Sequence, residues 1–186
     1  MVIKLIIPLI SIALFSSKIS TAQNIFASTI KLGPFSLDMK NTAVDKICGK
    51  KTSASELKKA SEDYEKMIEV IVNGIKYNVD FYIATDGNGK EDGTYNVTRI
   101  KCSDSRMKTK SGITIGMDKF SVLKKLDEMN VGFDFYKNFK YNNEGNPTTK
   151  FIEYIKIYDT KAAKTLTLNI ENGKVSSYEL YYDEGC

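Results

Sequence analysis

The sequence predicts an α+β fold of two tandem units, in each of which short helices pack on an antiparallel sheet. Three observations predict it: a short pattern that occurs twice, an amphipathic stretch after each copy, and strand-like segments joined by Asn-Gly dipeptides. The pattern is residues 35–39 (FSLDM), and residues 113–117 (ITIGM) repeat it 78 positions later. We therefore expect a first unit over 23–104 and a second over 105–186.

A short helix is expected after each copy of the pattern. Apolar residues recur there at helical spacing, so that each stretch has one apolar face. These residues are Val44, Ile47 and Cys48 after the first copy and Phe120, Leu123 and Leu126 after the second. A helix with one apolar face needs a sheet to cover it.

The first unit continues with a second helix and a hairpin. Ser53 and Glu56 have the spacing of a capping box, which predicts a helix over 53–66. Alternating apolar residues on both sides of Asn73-Gly74 predict a tight hairpin, because this dipeptide tolerates positive φ angles. The remaining segments of this unit are a polar loop at 86–93 and a strand at 94–102.

The second unit is predicted to be mostly strand. A polar linker at 103–110 precedes it, and Asn172-Gly173 marks its tightest turn. The expected strands are 133–141, 151–158, 165–170 and 175–182, with a turn at 142–147.

Residues 86–92 (DGNGKED) have the composition of a calcium-binding loop. A calcium hand needs an oxygen ligand at its fifth position and a bidentate Glu at its twelfth, which are Lys90 and Val97 here. Gly, Asn and Asp are also the residues that hairpin connections use. We therefore expect a solvated connection at this loop and predict no metal site.

The start of the chain has the three regions of a secretory signal peptide. Lys4 precedes an apolar run over 5–15, and small residues stand before Gln23, which predicts cleavage after Ala22. An uncleaved anchor is the alternative, but the run is shorter than the roughly 20 residues that a spanning helix needs. We expect residues 1–22 to be removed, the protein to be periplasmic or secreted, and no stable membrane anchor to remain.

Composition argues against an enzyme and against a nucleic-acid partner. The chain has no histidine, which excludes Ser/His/Asp and Cys/His catalysis and zinc sites with His ligands. Without Lys4 and Lys18, 25 basic residues face 23 acidic ones, a net charge of +2. Since the charges alternate along the chain, no basic footprint for nucleic acid is expected, and we predict no cofactor.

Three cysteines raise the question of a disulfide. In an oxidising compartment, two of Cys48, Cys102 and Cys186 should be bridged. The favoured pair is Cys48 with Cys102, because both belong to the first unit. Cys102 with Cys186 is the alternative, since spacing does not fix connectivity.

The hairpin around Asn172-Gly173 offers a candidate binding face. In an unslipped register, Tyr178 and Tyr182 share one face with Thr165 and Thr167, and tyrosines among hydroxyls are typical of recognition surfaces. A slipped register would turn both tyrosines into the core instead. The first register predicts that these four residues bind a partner.

Residues 112–117 (GITIGM), followed by Val122, Leu123 and Leu126, resemble a signature of a superfamily of small bacterial envelope proteins. This superfamily includes the tandem-repeat β-lactamase inhibitory protein and the small lipoprotein of the outer-membrane barrel-assembly machinery. The resemblance implies helical segments packed on antiparallel sheets over about residues 30–183. The first copy has Asp38 at the place of the signature glycine, and no cysteine follows the signal peptide.

These observations together predict a non-enzymatic module that binds another protein. The leading hypothesis is an inhibitor or immunity-type protein that occludes a toxin or hydrolase. The alternative, which the resemblance to the lipoprotein implies, is a factor for envelope assembly or maintenance.

Overall fold

A computed structural model describes residues 25–63, 66–85, 88–142, 145–159 and 161–182. The predicted signal peptide and Cys186 lie outside these residues. The described chain contains three helices: α1 (Asn41–Cys48), α2 (Ala54–Glu62) and α3 (Lys119–Glu128). Its strands are β1 (Ile25–Ala27), β2 (Lys31–Leu32), β3 (Phe35–Ser36), β4 (Ile68–Val72), β5 (Ile75–Thr85), β6 (Glu91–Cys102), β7 (Met107–Thr109), β8 (Phe133–Tyr141), β9 (Pro147–Asp159), β10 (Lys164–Glu171) and β11 (Lys174–Tyr182).

One antiparallel sheet of seven strands dominates the molecule. Its order is β4-β5-β6-β11-β10-β9-β8, so strands from both halves of the chain belong to the same sheet. The halves meet where β6 pairs with β11, with Ile100 opposite Leu180. The predicted α+β class is therefore confirmed.

A second, smaller sheet joins the N-terminal segment to the middle of the chain. Its order is β3-β2-β1-β7, and β1 runs parallel to β7 with Ile25 opposite Met107. The segment predicted as a polar linker at 103–110 thus contains a strand. Met107 and Thr109 are buried in it, which explains why it is ordered.

Local sequence signals place several element boundaries. Glu56 N donates to Ser53 Oγ at 3.2 Å and Ser53 N donates to Glu56 Oε2 at 3.0 Å, which confirms the capping box. The helix ends at Glu62, earlier than predicted. Both Asn-Gly dipeptides form two-residue turns with positive φ at each residue, as predicted.

The two copies of the repeated pattern make equivalent backbone hydrogen bonds. Asp38 N donates to Val97 O and Val97 N donates to Met39 O, both at 2.9 Å. In the second copy, Gly116 N donates to Val175 O at 2.8 Å and Val175 N donates to Met117 O at 2.9 Å. Every residue of the second set lies 78 positions after its counterpart. Asp38 and Gly116 both have positive φ, 66° and 86°, which explains why this position favours glycine.

The core lies between the helices and one face of the large sheet, which we call the inner face. Val44 of α1, Leu57 of α2 and Leu126 of α3 are buried against it. Phe35 packs edge-on against Tyr77 with ring centroids 5.1 Å apart. The opposite side of the large sheet, which we call the outer face, carries the candidate site.

Candidate functional site

The last hairpin has a different register from the one predicted. Glu171 pairs with Lys174 and Ile170 with Val175, but Asn169 then pairs with Ser177, so Ser176 is an extra residue. This β-bulge turns every later side chain of β11 to the other face.

Tyr178 is therefore a core residue, and the prediction that it lies on an uncovered face is wrong. Its side chain is 0% exposed, and its Oη donates to Ile113 O at 2.7 Å. Burial raises the pKa of this phenol.

Tyr182 also lies on the inner side, where it is partly buried. Its Oη donates to Asp38 Oδ2, and Lys164 Nζ lies 5.5 Å from its ring centroid. Burial and the contact with Asp38 raise the pKa of Tyr182. Tyr182 therefore connects the end of β11 to Asp38 in the first copy of the repeated pattern.

Thr165 and Thr167 point to the outer face, yet they are covered. They are 0% and 4% exposed, because larger residues stand opposite them on both neighbouring strands. Thr167 Oγ1 donates to Tyr181 Oη at 3.3 Å. The four predicted residues consequently do not form one exposed face.

A different group of tyrosines does lie on the outer face. We call it the tyrosine cluster, and its members are Tyr136, Tyr154, Tyr158 and Tyr181. Tyr136 and Tyr154 are opposite each other on β8 and β9. Their rings stack with centroids 5.1 Å apart and an angle of 17° between the ring planes. Tyr136 Oη and Tyr158 Oη share a hydrogen bond of 3.0 Å, and burial raises the pKa of Tyr158. These contacts hold the rings in fixed orientations.

Lys156 lies at the centre of the tyrosine cluster. Its Nζ is 5.3 Å from the ring centroid of Tyr136 and 5.7 Å from that of Tyr181, within the range of cation–π attraction. A shallow groove of about 300 Å³ runs beside it, lined by Tyr154, Lys156 and Tyr181 together with Ile152, Thr167, Asn169 and Glu179. The surface therefore combines rigid aromatic rings with a cation and polar groups.

Charged residues of opposite sign border the cluster on the side of the first half. Arg99 Nη2 lies 3.4 Å from Asp80 Oδ2, and Arg99 Nη1 lies 3.8 Å from Glu179 Oε1. All three side chains are mostly buried. Burial raises the pKa of Asp80, and the attraction of Arg99 opposes this shift. Asn169 Nδ2 donates to Ser177 Oγ at 3.0 Å. This network fixes the outer side chains of the strands on which the halves meet.

The structure does not join the two cysteines of the predicted disulfide. Cys48 and Cys102 are free thiols, so the predicted bridge between them is absent. Cys48 lines a groove beside the edge strand β4, whereas Cys102 lies two strands away on β6 and its Sγ donates to Lys76 O at 3.5 Å. Because the Cys102 thiol is free, the alternative bridge from Cys102 to Cys186 is absent as well.

The loop with calcium-like composition connects β5 and β6, with Thr85 opposite Glu91. Asp86 and Gly87 lie outside the described residues, and Asp92 Oδ1 accepts a hydrogen bond from Thr94 N at 2.8 Å. No group of three or more His, Cys, Asp or Glu side chains could hold a metal ion among the described residues. No helix in the described ranges is long and apolar enough to cross a membrane.

Sequence reasoning missed the tyrosine cluster although part of its signal was present. Tyr136, Tyr154 and Tyr158 each stand on a predicted strand at alternating positions. The turn at 142–147 did not fix how β8 pairs with β9, because an irregularity separates Phe139 from Tyr141 in that pairing. Only the pairing brings Tyr136 opposite Tyr154.

Comparisons of the chain with protein-family models, with curated protein sequences and with solved structures find no match. The resemblance of residues 112–126 to the envelope superfamily therefore stays a prediction.

Proposed function

We propose that this protein binds another protein through the tyrosine cluster and acts by occluding that partner, without catalysis. The observation that carries the proposal is a set of stacked and hydrogen-bonded tyrosines around Lys156 on the outer face. Tyrosine is enriched in protein interfaces because it supplies a large contact area at low cost in conformational entropy. Rings already held in place lose little further freedom on binding.

The surroundings of the cluster favour a protein over a small ligand. The groove beside Tyr154 is open and holds about 300 Å³, at the lower end of the range for small-molecule pockets. Charges of both signs border it, including Lys156 and Glu179. Such a mixed, broad surface suits the rim and centre of a protein interface.

We also propose that the chain consists of two tandem units that share one sheet. The equivalent hydrogen bonds of Asp38 and Gly116 with Val97 and Val175 support this organisation. A further parallel is the extra residue in each central strand: Thr98 in β6 and Ser176 in β11 are also 78 positions apart. The outer face would then be a composite of both units.

Residues 1–22 place this activity outside the cytoplasm in our proposal. A chain exported without an anchor meets toxins, hydrolases or envelope components, and we favour an inhibitor or immunity-type role against a toxin or hydrolase. A role in envelope assembly is the alternative, supported by the resemblance of residues 112–126 to the barrel-assembly lipoprotein. The identity of the captured partner separates the two roles.

The test is affinity capture with the native chain from envelope extract, followed by binding measurements with variants. Tyr154→Ala should weaken binding of the captured partner by about 30-fold, because central aromatic anchors contribute about 2 kcal/mol or more. Phe120→Ala is the matched control, since Phe120 is an aromatic residue that is 71% exposed on α3 at the helix side. Equal affinity of the wild type and Tyr154→Ala, or a loss confined to Phe120→Ala, would refute the proposed face.

A further inference from the structure

Strand β8 forms one edge of the large sheet. It is nine residues long, and no strand lies on its free side within the described part of the chain. An edge of this length presents unpaired backbone N–H and C=O groups that can pair with another strand.

The inner side of this edge also exposes aromatic residues. Phe135 is 41% exposed and Phe139 is 50% exposed, and the ring of Phe139 lies 4.8 Å from that of Phe151 on β9. Exposed apolar patches on a sheet typically mark contacts with another protein.

We propose that a second copy of the chain occupies this edge, with the two β8 strands antiparallel about a two-fold axis at Lys137. In this register Asp134 of one copy faces Lys140 of the other, and Phe135 faces Phe139. The axis generates each contact twice. Opposite charges and aromatic rings that face each other across strands are stabilising pairs.

Neighbouring registers lose this complementarity. With the axis at position 136, Asp134 would face Asn138 and Phe135 would face Lys137. With the axis at position 138, Lys140 would face Tyr136. Only the axis at Lys137 combines opposite charges with paired phenylalanines, so side-chain chemistry selects it.

The two Lys137 side chains meet at this axis, and each has its own partners. Lys137 Nζ lies 3.7 Å from Glu153 Oε1 and 4.4 Å from the ring centroid of Phe151 in the same chain. These contacts offset the repulsion between the like charges. The resulting sheet would be continuous across the dimer, with the tyrosine clusters of both copies on one side.

Variants that exchange the charges at positions 134 and 140 test the proposed pairing of the two β8 strands. The dimer dissociation constant is measured by analytical ultracentrifugation, on protein purified from cells that express the full-length sequence. Asp134→Lys alone and Lys140→Asp alone should each raise the dimer dissociation constant by about tenfold or more, because both symmetry-related pairs become repulsive. The double variant D134K/K140D should return it to within about threefold of the wild type, since the pairs are restored with exchanged signs.

Glu69→Lys is the control, because it reverses a charge on β4, the opposite edge of the same sheet, and should leave dimerisation unchanged. A monomeric wild type at all concentrations overturns the proposal. So does a double variant that stays as weak as the single ones, or an equal effect of Glu69→Lys. Melting temperatures of all variants show that each is folded.

Discussion

At the scale of single residues, Tyr178 and Tyr154 separate a core role from a surface role. Tyr178→Ala removes a fully buried ring and the partner of Ile113 O, so we expect a loss of about 3–5 kcal/mol in unfolding free energy. Tyr154→Ala removes a ring from the outer face and should lower the unfolding free energy by about 1 kcal/mol or less. Urea denaturation of both variants measures the difference. Equal losses would contradict the slipped register.

The two thiols give a second prediction at this scale. Burial raises the pKa of the Cys102 thiol, and burial together with Asp45 raises that of Cys48, so both react slowly at neutral pH. Cys48 is partly exposed and should react with a thiol reagent in the folded protein, whereas Cys102 should react only after unfolding. If neither Cys48 nor Cys102 reacts in denaturant without reductant, they are oxidised and the structural assignment of free thiols is wrong.

At the scale of elements, the β-bulge at Ser176 decides which face each residue of β11 occupies. Deletion of Ser176 removes the extra residue and would turn Tyr178 and Leu180 outward, so we expect the deletion variant not to fold. Ser176→Ala keeps the residue count and loses only the hydrogen bond from Ser176 Oγ to Asn169 O, so it should stay folded. Circular dichroism compares the two. A deletion variant as stable as the wild type would show that the bulge does not fix the register.

Elements with local signals were predictable from the sequence, whereas the pairing of distant strands was not. The capping box at Ser53 and the turns at Asn73-Gly74 and Asn172-Gly173 depend on neighbouring residues, and they are present. The bulge at Ser176 depends on how β11 pairs with β10, and no residue of the Asn172-Gly173 turn predicts it. For the same reason the sequence leaves both registers of Tyr178 open and does not predict that Tyr154 lies on the candidate face.

At the scale of the whole molecule, the two halves share their main sheet and their core. β6 pairs with β11, β1 pairs with β7, and the hydrophobic core includes residues of both halves. We therefore expect a single cooperative unfolding transition in which tyrosine fluorescence and far-UV circular dichroism change together. Two separate transitions would mean that the proposed units fold independently.

Photo-crosslinking in intact cells tests most directly the central claim, that a protein partner docks on the tyrosine cluster. A photoreactive amino acid at position 154 or 156 reports on the outer face, and one at Lys58 or Lys124 reports on the exposed sides of α2 and α3. We predict one adduct of the same mass from 154 and 156, lost when Tyr136 and Tyr181 are changed to alanine, and none from 58 or 124. Adducts from 58 and 124 without any from 154 and 156 would contradict the account.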